Sequence, residues 1–77
     1  MEYDIGSKIK AARLKKKMTQ EQVAELLGVS RQTISNWELN ETSPDLKQAQ
    51  KLTEIFNISM DELIGNKSII LEKIDKT

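Results

Sequence analysis

Gly28 is the residue that most narrows what this chain can fold into. Ahead of it, "TQEQVAELL" carries a helix-start signature. Thr19 caps, Gln22 stands three residues later to complete a capping box, and Met18 is placed to staple onto Val23. Directly after Gly28 the pattern begins again, with Ser30 as a cap and Val29 at staple spacing to Ile34. The chain therefore has about three residues in which to stop one helix, reverse and start another. A glycine in the left-handed conformation makes that reversal without the steric cost of a Cβ. Two short helices, at about 20–27 and 31–38, follow from this spacing.

The same punctuation recurs along the chain. Ile5, Ile9 and Ala12 recur at helical spacing over roughly residues 5–16. After "NETSPD", Asp45 and Gln48 form a capping box, with Ser43 and Pro44 as an alternative start. The apolar stripe that follows is Leu46, Ala49, Leu52 and Phe56, with Ile55 alongside. Ser59 with Glu62, Ile58 with Leu63, and Gly65 as the stop mark a fifth helix. Strand-like alternation is confined to "SIILEKI", residues 68–74. That piece reads equally as a further helical turn, an edge strand or an apolar tail that docks on a partner. The expected architecture is all-α, a compact bundle of five short helices over residues 1–65, with a C-terminal tail at 66–77.

Composition removes most enzyme chemistry. The 77 residues hold no His and no Cys, so the commonest general base, the thiol nucleophile and the usual transition-metal ligands are missing. The three glycines, at 6, 28 and 65, form no phosphate-cradling loop. Asp61 and Glu62 are adjacent carboxylates in a first helical turn, where they suit the helix dipole. The reading is a non-enzyme with no cofactor, no metal and no evident small-molecule ligand. The acidic start lacks a signal-peptide core and no apolar run approaches the ~20 residues of a membrane span. Without cysteines, a cytoplasmic location is expected.

The net charge is zero, yet its layout is polarised. Residues 1–31 hold seven basic and four acidic residues, and residues 32–77 hold five basic and eight acidic ones. A neutral total with so polarised a layout can still present one basic face. Lys15, Lys16 and Lys17 admit two readings, a solvated helix end that complements the dipole or part of that face.

The second of the paired helices, "RQTISNWE", turns Ile34 and Trp37 inward as a narrow stripe and places hydrogen-bonding side chains on the rest. Trp37, sharing a face with Ile34, reads as a packing residue. A helix entering a DNA major groove N-terminus first meets base edges with its first two turns. Arg31 there suits the O6 and N7 of guanine, and Gln32 the N6 and N7 of adenine. Asn36 follows Gln32 at i+4, Ser35 follows Arg31, and Thr33 offers a hydroxyl and a methyl. An ordinary polar helix start is the plainer reading of the same residues.

The stretch from "TQEQV" to "ISMDELIG" resembles the Cro and phage-repressor type of helix-turn-helix domain, the XRE family. The likeness runs from about Ile5 to Gly65 and rests on the glutamine-led opening, the Ala24–Gly28–Ile34 spacing and the closing "ISMDEL". It implies a transcriptional regulator, repressor-like, that reads double-stranded DNA as a homodimer on a palindromic operator. It implies base contacts by Arg31, Gln32 and Asn36, with Thr33 and Ser35 as secondary contacts. Phosphate contacts are expected from Gln20, Ser30, Asn40, Thr42, Ser43 and Lys17. Gln20 also buttresses the first reading residue, and Arg13 and Glu38 form an internal ion pair. Lys17 departs from the family pattern, because relatives often have glycine there; a lysine kept left-handed costs roughly 1 kcal/mol. Leu14 departs too, standing where a polar residue is common.

The pairing surface is expected away from the basic face, from Met60, Leu63 and Ile64 together with Ile69, Ile70, Leu71 and Ile74 of the tail. The other class of function on this scaffold is a protein-interaction module, such as an antitoxin gripping a protein partner. The polar Arg31–Gln32–Ser35–Asn36 face argues for DNA, since a protein groove takes apolar anchors.

Overall fold

The computed structural model describes residues 4–65. They form α1 (Ile5–Lys15), α2 (Gln20–Leu27), α3 (Arg31–Glu38), α4 (Leu46–Phe56) and α5 (Met60–Ile64), and no strand occurs among them. Each helix starts on a capping side chain. Thr19, Asp45 and Ser59 make full capping boxes with Gln22, Gln48 and Glu62, and Ser30 accepts from the backbone N–H of Thr33. The cap of α1 is Asp4, whose carboxylate accepts from Ser7 N at 3.1 Å.

The helix ends share a second device. Lys17, Gly28, Asn40, Asn57 and Gly65 all have positive φ, between 56° and 75°. After α1 the N–H of Met18 reaches Arg13 O at 3.0 Å and that of Lys17 reaches Leu14 O at 2.9 Å. The same pair of bonds closes α2 (Val29 to Ala24, Gly28 to Glu25) and α3 (Glu41 to Asn36, Asn40 to Trp37). These bonds satisfy carbonyls that a helix end leaves orphaned. Lys17 keeps the left-handed shape, φ 58°, despite its Cβ.

One core gathers the inward faces: Ile9, Val23, Ala24, Ile34, Trp37, Ala49, Leu52, Phe56 and Leu63 are buried. Full burial of a side chain such as Leu52 contributes about 1.5–3 kcal/mol. Leu63 is 0% exposed and belongs to this core, so it is not available as a pairing surface. Leu46 also departs from expectation. It is 70% exposed at the first position of α4, and the buried stripe of that helix begins three residues later at Ala49.

Against this core α3 packs on both α1 and α2. The α1 contact is close enough to exclude a side chain. A Cβ on Gly6 would lie 2.5 Å from the carbonyl oxygens of Trp37 and Glu38. Close approach of the two backbones lets the Gly6 N–H donate to Asn40 Oδ1 at 2.9 Å. Here glycine supplies space; at Gly28, where nothing lies within 4 Å of the missing Cβ, it supplies conformation.

Candidate nucleic-acid interface

A chain of side-chain hydrogen bonds fixes where α3 begins and ends relative to its neighbours. Arg13, on the buried side of α1, donates from Nε to Glu38 Oε2 at 2.7 Å and from Nη2 to Glu38 Oε1 at 3.2 Å. Its Nη1 donates to Met18 O at 2.9 Å, closing the α1–α2 corner. Only 11% of the Arg13 side chain and 5% of the Glu38 side chain is exposed, so water screens this pair weakly. Glu38 accepts a further bond from Gln20 Nε2 at 3.0 Å, and Gln20 Oε1 accepts from Arg31 Nη1 at 3.0 Å. The network thus runs from the end of α1 through the first residue of α2 to the first residue of α3.

The remaining candidate residues separate into three groups. Arg31 and Gln32 are exposed on the first turn of α3, and Gln32 Nε2 donates to Asn36 Oδ1 at 3.0 Å. This i,i+4 amide pair joins two of the expected reading residues on one face. Ser35 and Asn36 are half-buried beside it. Thr33 and Ser30 also form the helix start. Ser30 Oγ accepts from Thr33 N at 3.2 Å, and the two hydroxyls lie 3.0 Å apart.

Lys17 is exposed at the α1–α2 corner with Lys15 and Lys16. Thr42 and Ser43 are exposed in the segment between α3 and α4. Asn40 is exposed, and its side chain ties back to the start of α1: it accepts from Gly6 N and donates from Nδ2 to Asp4 Oδ1 at 2.7 Å. That bond, followed by those from Ser7, holds the Asp4 carboxyl below the ordinary aspartate pKa. Met60 and Ile64 are half-buried on α5, while Ile69, Ile70, Leu71 and Ile74 lie outside the described residues. Among the described residues no group of three or more His, Cys, Asp or Glu could hold a metal ion, and no helix is long and apolar enough to cross a membrane.

Two structural residues escaped the reading of the sequence. Gly6 sits inside α1, and a glycine within a helical pattern is itself a signal of close packing. Asp4 lies three residues before Ser7 and just ahead of the apolar pattern, which is a cap position.

An α2–glycine–α3 corner, with a glutamine leading α2 and polar side chains opening α3, matches a known design. The family model for helix-turn-helix proteins matches residues 9–63, from α1 into α5. This chain belongs to the helix-turn-helix family, of the Cro and phage-repressor type. The chain is 34% identical over 67 residues to the HTH-type transcriptional activator BcrR of Enterococcus faecalis, covering 87% of this chain and 33% of that protein. It is 34% identical over 65 residues to the HTH-type transcriptional regulator ImmR of Bacillus subtilis, covering 84% of this chain and 51% of that protein. The chain therefore spans a third to half the length of these curated relatives. In structure it is similar to the P22 c2 repressor crystallised with a synthetic operator, with a TM-score of 0.74 and 35% identity. That match covers 78% of this chain and 91% of the P22 chain.

Proposed function

We propose that this helix-turn-helix protein is a sequence-specific, double-stranded-DNA-binding transcriptional regulator of the repressor-like kind, acting by binding rather than by catalysis. The observation that carries the reading is the outward face of α3, where Arg31 and the Gln32–Asn36 amide pair project from the first two turns. The likeness to a repressor crystallised with its operator supports it. In this reading α3 lies in the major groove with Arg31 toward guanine and Gln32 toward adenine. Gln20, Lys17, Thr42 and Ser43 meet the phosphates. A single reading helix covers few base pairs, so the working unit is a homodimer with its two α3 helices about 34–36 Å apart. Met60, Ile64 and the tail are its pairing surface, and the site of action is the cytoplasm.

The test is a fluorescence-anisotropy titration onto DNA from upstream of the protein's own gene and onto a scrambled duplex, at several salt concentrations. Native DNA is expected to bind at least ~10³-fold tighter than scrambled DNA. Arg31→Ala and Gln32→Ala should erase most of that gap. Equal binding to both duplexes, lost steeply as salt rises, would leave only phosphate contact and overturn base reading.

A further inference from the structure

We propose that Glu38, which lies at the far end of α3 from its reading turn, sets base preference by positioning Arg31 through Gln20. This rests on the DNA-binding reading above and deepens it. A carboxylate only accepts hydrogen bonds, and Glu38 is turned into a pocket of donors made by Arg13 and Gln20. Gln20 must therefore present its NH₂ group to Glu38, at 3.0 Å, and so its carbonyl oxygen to the other side. That oxygen meets Arg31 Nη1, also at 3.0 Å. The amide orientation of Gln20 is thus dictated from behind, and it demands a donor at position 31.

The consequence for Arg31 is geometric. With Nη1 bonded to Gln20, the Nε–Nη2 edge of the guanidinium remains a two-donor fork, the shape that matches the O6 and N7 of guanine. An arginine otherwise surrenders rotamer freedom when it docks, and the Gln20 bond has already taken part of it. Glu38 touches no base in this scheme and is a positioning residue.

Replacement of Glu38 by glutamine keeps the shape but allows the group at 38 to donate. Gln20 then has no fixed orientation, and Arg31 loses its assured acceptor. The experiment measures binding of the full chain to its upstream site and to four duplexes varying the base pair read by Arg31. Glu38→Gln is expected to reduce the guanine preference roughly 5-fold or more. Arg13→Met removes the ion pair but leaves the Glu38 carboxylate facing Gln20, so it should lower the melting temperature and weaken binding to all four duplexes alike, while the ratio among them is kept. The exchange Gln20→Glu with Glu38→Gln restores an oriented acceptor toward Arg31 and should recover the preference.

A wild-type protein that discriminates no bases overturns the function reading itself. A discriminating wild type whose preference survives Glu38→Gln unchanged overturns the positioning role alone. Should Glu38→Gln not fold, ¹⁵N NMR of the wild-type protein reads the same point. A Gln20 side-chain amide locked by Glu38 exchanges more slowly with water than the exposed Gln22 and Gln50 amides, and equal exchange rates would overturn the proposal.

Discussion

α3 is held by two joints of different character. Toward α2 the body of the joint is local and apolar, a three-residue turn on Gly28 with Val23 and Ala24 packed beside Ile34 in one core, and the two Gln20 bonds, to Glu38 and Arg31, lie at its rim. Toward α1 it is polar and long-range, made by the Arg13–Glu38 pair, the Gly6–Asn40 bond and the Asn40–Asp4 bond, across 25, 34 and 36 residues of sequence. Apolar packing tolerates small slides, whereas hydrogen bonds of fixed direction do not. The α2 joint therefore gives α3 its place, and the α1 joint gives it its angle. Changes on the α1 side should unseat the proposed reading face while leaving every residue on it intact.

The largest effect is expected from Arg13→Ala. It strands the Glu38 carboxylate, 5% exposed, with Gln20 as its remaining side-chain donor, and loses the bond to Met18 O. Breaking a buried pair on one side costs about 3–5 kcal/mol. Thermal or urea unfolding checks it, and a loss below about 1 kcal/mol would place the pair among surface ion pairs.

Next comes Gly6→Ala, which drives a methyl to 2.5 Å from two backbone oxygens. Neither oxygen belongs to a flexible side chain, so α1 and α3 must separate, at about 1–3 kcal/mol. Gly28→Ala is the matching change in the other joint. Its Cβ meets open space, so only the φ of 73° is strained and the loss is about 1 kcal/mol. The two substitutions also separate by consequence. Beyond its stability cost, Gly6→Ala should weaken DNA binding by moving α3, whereas Gly28→Ala should bind normally wherever it is folded.

These joints also explain what the sequence revealed and what it concealed. The five helices, the capping boxes and the Gly28 turn are local patterns, each decided within about five residues, and they were legible. The buried side of Trp37 was legible from its spacing to Ile34. Gly6 and Asn40 were not, because their roles depend on each other across 34 residues. Nothing near Asn40 shows that its amide is engaged by α1. Leu63 was misplaced for a similar reason. Five residues of α5 are too short to show which side faces a core built by four other helices. At the site, residue types pointed to base reading, while the relay from Glu38 through Gln20 to Arg31 emerges only when three helices are assembled.

Lys17→Gly sharpens the comparison from the other direction. Lys17 holds φ 58° with a Cβ, in the same bond pattern that Gly28 makes freely. Relief of that strain, offset by the greater freedom of glycine in the unfolded chain, should stabilise the protein by a few tenths to about 1 kcal/mol. In a domain of this size 1 kcal/mol shifts Tm by about 4–8 °C. If Lys17 instead meets a phosphate, the same variant binds DNA more weakly and its salt dependence is shallower. One substitution thus separates the structural part of that residue from its proposed contact.

The smallest effect belongs to Asp4, at the outer edge of the polar joint. Its carboxyl is fully exposed and is held below the ordinary aspartate pKa chiefly by Asn40, then by Ser7. A carboxyl depressed in the folded state adds stability that is complete above its unfolded pKa and disappears as pH falls through the folded value. Asp4→Asn should therefore be slightly less stable than the native chain near neutrality, with the difference closing in the acid range below ordinary aspartate titration. Parallel melts across that range read the difference directly. A gap that stays constant with pH would mean that Asp4 acts as an uncharged cap and that its charge contributes nothing to the α1–α3 joint. The polar joint would then rest on Arg13, Glu38 and the Gly6–Asn40 bond, and its angular control of α3 would originate nearer the core.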